Sequence, residues 1–339
     1  MTAISCCVPR GVEKNSDLSY MMKDEELQRL IKTTGIEERR IVDDETCTSD
    51  LCYKAAKQLM EDNNIAPESI DMLIFTTLTP DYIDPPTAPL LQERLGLPKT
   101  TATMDLMFAC TGFIYSLATA YSFVSMGMNR ILILVGETMS KLASKQDRVN
   151  RPLYGDAGSA CLVEKGDFGD SFFELTSDGS GEDFVKVPYG GFRHMPTADS
   201  LIMKEREDGN LRRDLDINMD GLETFYHGTS AIPKQIKSIM KELSITNDDV
   251  DYFVLHQPNK MMVDFITRKL KITPDKAPSC LPKYGNTSCT SIPMGLVTEL
   301  NGKMGGKKRL VFSAIGAGWS FGSAYLTTND LKITPIIEY

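Results

Sequence analysis

The sequence has little histidine, no patterned cysteine, no long apolar run and no excess of positive charge, and each shortage removes a class of function. Eight cysteines, at positions 6, 7, 47, 52, 110, 161, 280 and 289, form no CxxC pair and no regular spacing. That excludes a disulfide framework and a Cys/His zinc site, so most of the thiols should be reduced and packed, and no metal is expected. Three histidines are few enough to weigh singly. No apolar stretch approaches the ~20 residues of a membrane span. Met1 to Arg10 lacks the basic start and sustained apolar segment of an export signal, so the expectation is a cytoplasmic protein without a membrane partner. With a net charge of -9 and a pI near 5.0, the chain does not offer the clustered basic face that nucleic acid requires.

At 339 residues, with 42% apolar and 24% charged residues, the chain can bury a large core and hold a site between layers. Runs rich in β-branched residues alternate with helical patterns, which gives an α/β class. Strands are expected at Asp71–Thr79, Asn129–Glu137, Asp251–His256 and Lys307–Ile315, with another near Ser323–Thr328. Helices are expected at Thr87–Leu95, Gly112–Met126, Leu222–Leu243, Lys260–Leu270 and Ser291–Leu300. The order of elements recurs after about 180 residues, so two similar halves, 1–168 and 169–339, should pack as one pseudo-symmetric unit with a seam between them. Residues 167–220, rich in Gly and Asp, read either as a region that shapes a tunnel or as a plain surface insertion.

Three residues stand where chemistry gathers. Cys110, in FACTGF, precedes a small-residue apolar helix, where the helix dipole would favour thiolate; a buried structural cysteine is the competing reading. His256 closes a strand and opens a turn, a position where α/β sheets collect sites, although a satisfied core histidine fits as well. Asn286 lies in YGNTS ahead of the second small-residue helix and offers a donor that never titrates. The glycine pattern Gly316 to Gly322 precedes a strand, which excludes a dinucleotide-binding loop but leaves a backbone amide for an oxyanion.

Six ordered motifs, TGIEER (34–39), ACTGF (109–113), YGDAG (154–158), HQPN (256–259), YGNTS (284–288) and the turn at Gly316-Ala-Gly, together resemble the ketoacyl-acyl-carrier-protein synthase III family. The resemblance implies a thiolase-like fold, two halves in an α-β-α-β-α layering. It implies that Cys110 takes an acyl group from a coenzyme A thioester, the cofactor here being a substrate. His256 and Asn286 would then stabilise the enolate from a malonyl group on acyl carrier protein, with the Cys110 and Ala317 amides holding the oxyanion. It further implies a homodimer through the strand near 104–109, cofactor contacts at Arg148 and Asn259, and carrier-protein docking on Lys260, Arg268 and Lys269. Arg29 and Thr33 stand where well-known members stack the adenine between tryptophan and arginine, so an acyl carrier protein could replace coenzyme A as first donor. Asp84 and Ile315 replace bulkier apolar residues, which leaves acyl-chain length open. Two other readings stay open: an acyltransferase of the same fold that delivers to an amine or alcohol, and a non-catalytic subunit that binds acyl thioesters.

Overall fold

The structure, a computed structural model, describes residues 1–339. Two sheets share one plan. The first contains β1 (Ala3–Val8), β2 (Met72–Thr76), β3 (Ala102–Leu106), β4 (Arg130–Glu137) and β5 (Ala157–Glu164) in the order β3-β2-β4-β5-β1. The second contains β6 (Ser171–Ser177), β7 (Tyr252–Leu255), β8 (Lys307–Gly316) and β9 (Ser320–Asn329) in the order β7-β8-β9-β6. In both, two parallel strands are followed by two antiparallel neighbours, and only β3 lacks a counterpart. Even the strand starts match: the Asp71 carboxylate accepts from the Arg130 amide, and the Asp251 carboxylate from the Arg309 amide.

Alternation along the strands explains the layering. Ile131, Ile133 and Val135 of β4 face one core while Leu132 and Leu134 face another, the period of two that a strand buried on both faces requires. Leu310 and Phe312 of β8 likewise face inward and Val311 outward. Six helices cover these faces. Outside the first sheet are α2 (Thr48–Asp62) and α3 (Thr87–Arg94), preceded in the chain by α1 (Asp24–Thr34); outside the second are α5 (Gly221–Glu242) and α6 (Lys260–Leu270). Between the sheets lie α4 (Gly112–Ser125) and α7 (Ser291–Glu299), whose residues Phe113, Leu117, Ile292 and Leu296 join both sheets in one central core. The outer helices carry one apolar face each, whereas α4 and α7 are apolar nearly all round, as a helix packed on both sides must be.

Two expectations need correction. The region 167–220, expected to hold short strands and irregular excursions, opens instead with a full edge strand of the second sheet, β6; the excursion proper is Asp178 to Asp220, where two short ribbons pair 185–186 with 218–219 and 204–205 with 211–212. Nor does the second half end where the chain does: residues 332–333 and 337–338 return to pair with β1 in the first sheet. A smaller difference lies in the strand expected over 71–79. It stops at Thr76, since Thr77 to Thr79 leave the sheet to satisfy the buried carboxylate of Glu137.

A buried ion cluster of the first half stands at the seam, with Arg39 against Gly285 of the second. The Arg39 guanidinium, fully shielded from solvent, donates to Glu13 Oε1 at 2.7 Å, to Asn15 Oδ1 at 3.0 Å and to the Arg151 carbonyl at 2.7 Å. Arg151 also pairs with Glu13, and the Asn15 amide donates to the carbonyls of Ile36 and Pro152. Burial pushes the Glu13 carboxyl up, but the two guanidinium groups outweigh it and hold it below its ordinary value. Arg39→Ala would leave Glu13 without its shielded partner and strand several carbonyls. Unfolding by denaturant should show a loss of about 3–5 kcal/mol; a loss under about 1 kcal/mol would show that the cluster does not brace the fold.

Candidate active site

The chain delivers three side chains to one cavity from three directions. After β3 the backbone turns at Phe108 to Thr111, with the Gly112 amide donating to the Ala109 carbonyl at 2.7 Å, and enters α4; Cys110 rides on this turn. His256 follows β7 directly, its amide still bonded to the Ser313 carbonyl of β8 at 2.8 Å. Asn286 sits on a segment clamped across the seam: its amide donates to the Leu153 carbonyl at 2.8 Å and its carbonyl accepts from the Gly155 amide at 3.1 Å. Gly285, at φ 63°, makes this crossing possible, because a Cβ there would lie 2.6 Å from the Leu153 oxygen and 2.8 Å from Arg39 Cγ.

Cys110, His256 and Asn286 line one cavity of about 50 Å³, whose walls include Leu78, Met219, Ile315 and Trp319. Larger hollows exist, of about 610 Å³ beside Ser140 and Arg151 and about 780 Å³ beside Arg206 and Asp220, but neither contains any of the three. Polar contacts fix each side chain. Asn286 Oδ1 accepts from the Ser288 amide at 2.9 Å, which leaves its NH₂ to donate. His256 Nδ1 lies 2.7 Å from Ser291 Oγ; with the hydroxyl donating to Nδ1, the ring proton is on Nε2. Ser288, in the left-handed region at φ 51°, brings its hydroxyl to 3.8 Å from the Cys110 sulfur.

The electrostatics differ from the expectation of a thiolate at a helix N-terminus. Burial pushes the Cys110 thiol up to about 12; the Ser288 hydroxyl works against this and the charge of Glu137 adds to it. The same burial lowers the His256 imidazole to about 3, so the ring is neutral near pH 7. Desolvation of the half-buried Cys110 thus opposes the thiolate that the helix start would favour, and it favours the neutral imidazole.

Glu137 is the functional-looking group that sequence reasoning passed over. It is fully buried at the end of β4 and accepts from the Leu78 amide at 3.1 Å, the Thr79 hydroxyl at 3.0 Å, the Thr77 hydroxyl at 3.2 Å and the Cys289 thiol at 3.5 Å, with no cation among these partners. Burial raises it to about 7 despite these donors. Its only sequence signal is an acidic residue ending an apolar strand, which equally describes a solvated strand end. Ser291 and Trp319 carried no signal at all.

Of the remaining sequence candidates, Ala317 and Ile315 border the cavity and the others lie outside its lining. Arg29 and Thr33 are exposed on one face of α1, a turn apart. Arg148 is occupied by the 204–212 ribbon, donating to Asn210 Oδ1 at 3.3 Å and to the Gly209 carbonyl at 3.3 Å. Asn259 caps α6, its Oδ1 accepting from the Met262 amide at 2.9 Å, so that acceptor is already in use. Lys260 pairs with Asp264, and Lys269 donates to the Thr229 carbonyl at 3.1 Å while lying over the Phe265 ring. Ala317 does border the cavity, in the hairpin between β8 and β9, and the Thr111 to Ser320 hydroxyl contact at 2.8 Å ties that hairpin to the Cys110 turn.

Residues 104–179 match the 3-oxoacyl-[acyl-carrier-protein (ACP)] synthase III family, and residues 240–328 match that family's C-terminal region. A putative 3-oxoacyl-[acyl-carrier-protein] synthase 3 of Campylobacter jejuni is 38% identical over 318 residues, covering 92% of this chain and 88% of the relative. The chain belongs to the β-ketoacyl-[acyl-carrier-protein] synthase III family. A β-ketoacyl-[acyl-carrier-protein] synthase III of Clostridium acetobutylicum is 36% identical, with 94% of this chain and 95% of the relative aligned. The crystal structure of a 3-oxoacyl-(acyl-carrier protein) synthase from Burkholderia xenovorans LB400 superposes with a TM-score of 0.93 at 32% identity, covering all of this chain and 96% of that one. The fold is thus the thiolase-like fold of these synthases.

Glu137 sets a pH dependence for this synthase-family chain. Its folded value is raised, so between its ordinary 4.5 and about 7 the folded chain keeps a proton that the unfolded chain has released. Its contribution to stability is therefore full below that window and is lost as pH rises through it. Glu137→Gln should flatten this component: denaturation midpoints at about pH 5 and about pH 8 should lie closer together in the variant than in the wild type. An unchanged separation would show that Glu137 is not protonated in the fold.

Proposed function

We propose that the chain is a condensing enzyme that builds a β-ketoacyl thioester on acyl carrier protein, with Cys110 as nucleophile and His256 and Asn286 as the donors to the developing enolate. The carrying observation is that a thiol, a neutral imidazole and a carboxamide NH₂ from both halves line one small cavity with no cation beside them. Family membership gives the reaction class, and relatives aligned over more than nine-tenths of the chain are named as β-ketoacyl synthases, which disfavours transfer to an amine or alcohol.

In the first step the Cys110 sulfur bonds to the acyl carbon of a coenzyme A or acyl-carrier-protein thioester. The thioester C–S bond breaks, and the thiol proton goes to the departing sulfur. A thiol that burial keeps protonated is matched to this exchange of one thioester for another, because no net charge enters the cavity. In the second step a malonyl thioester loses its carboxylate as carbon dioxide. The electron pair left on carbon is stabilised through the thioester oxygen by the His256 Nε2 proton and the Asn286 NH₂. That carbon bonds to the acyl carbon, the C–S bond to Cys110 breaks, and the released thiolate takes a proton from solvent. A neutral His256 donates a hydrogen bond here without giving up its proton, which fits its lowered value. The Cys110 and Ala317 amides hold the oxyanion of the tetrahedral intermediate.

Docking of the acidic carrier protein on Lys260, Arg268 and Lys269 belongs to the same proposal, with Arg268 the least engaged of the three. So do a cytoplasmic setting and a cofactor entrance past Arg148, Arg29, Thr33 and Asn259; no helix is long and apolar enough to cross a membrane. A homodimer is supported by the outer side of β3, which is unpaired, and by Met107, Tyr82 and Ile83 exposed beside it. Sedimentation at micromolar concentration should give twice the mass of the chain, and a monodisperse monomer would remove the dimer.

Cys110→Ala should abolish acylation, seen as no mass gain with any acyl donor. His256→Ala and Asn286→Ala should keep acylation while slowing carbon dioxide release from malonyl-acyl-carrier-protein by about 100- to 1,000-fold. Equal loss of both half-reactions in the two variants would contradict the division of roles.

A further inference from the structure

The cavity beside Cys110 is small for a synthase that loads an acyl chain, and its largest lining side chain is Trp319. Trp319 borders it and is 1% exposed. The residue closes the three-residue hairpin between β8 and β9, where Gly318 takes φ 86°. Its carbonyl accepts from the Asp178 amide at 2.9 Å. Phe184 stacks at 5.8 Å between centroids and His227 at 5.2 Å. Gly181 lies against the indole so closely that a Cβ would come 2.1 Å from Cδ1. The ring therefore has packed neighbours from the excursion and from α5, and no empty space to swing into.

We infer that Trp319 is a specificity-determining wall that limits the acyl group on Cys110 to a short chain. The inference rests on the condensing reading above and deepens it. A cavity of about 50 Å³ holds roughly three to five water-sized groups, the bulk of an acetyl to butyryl group; a straight chain of about six carbons or more would have to displace the indole. Among the other apolar walls, Met139 and Met219 are flexible and can yield to a ligand, and Val185, Ile217 and Ile315 are smaller than the indole.

Thioesters of N-acetylcysteamine, from acetyl to decanoyl, test the wall without involving the nucleotide or the carrier protein. Mass gain on Cys110 is followed with time in the wild type, Trp319→Ala and the milder Trp319→Leu. The wild type should load acetyl to butyryl and lose at least about tenfold in rate on passing to hexanoyl. Both variants should raise the octanoyl-to-acetyl rate ratio at least about tenfold, and Trp319→Leu, still loading acetyl, keeps the test valid if Trp319→Ala fails to fold. Wild-type loading of octanoyl as fast as acetyl, or an unchanged ratio in a variant that still loads acetyl, overturns the inference alone. No mass gain with any donor in the wild type overturns the condensing reading and this inference together.

Discussion

The arrangement depends on a guanidinium buried where the two halves meet. Arg39 holds the carbonyls of the 151–154 segment in place, that segment clamps Asn286 on both sides, and Asn286 in turn orients the Ser288 amide beside Cys110. A buried cation is expensive unless its charge and every donor are satisfied, and here Glu13, Asn15 and the backbone do so. The motif that contains Arg39 thus has a structural explanation, since it converts a flexible loop in one half into a rigid support for a side chain of the other.

The site itself works by withholding charge. Burial shifts all three titratable groups toward their neutral forms: the Cys110 thiol and the Glu137 carboxyl upward, the His256 imidazole downward. In such surroundings fixed dipoles act strongly, because little solvent screens them. In the proposed reaction, His256 and Asn286 would need no net charge to favour an enolate.

Much of this was legible in the sequence, and the reasons are specific. Helices α4 and α7 could be read because small and apolar residues run through them without a polar face, and α6 because its pattern begins and ends at recognisable residues. Strands β4 and β8 showed as unbroken apolar runs. Cys110, His256 and Asn286 stood at element ends and in ordered motifs. What escaped depends on contacts distant in the chain: Glu137 is buried only because Thr77 to Thr79 fold over it, and Trp319 is a wall only because Gly181 and Phe184 reach it from the excursion. The direction of the Cys110 shift also escaped, since proximity to a helix start is local and visible, whereas desolvation is a property of the whole fold.

The last residues of the chain carry a consequence for growth of the first sheet. By laying 332–333 and 337–338 along β1, they occupy one lateral margin and leave the β3 margin bare. The β1 margin is now bordered by two segments of two residues each, whereas β3 offers five residues with no neighbour on its outer side. A further strand laid on this sheet would therefore find its longest open ladder at β3.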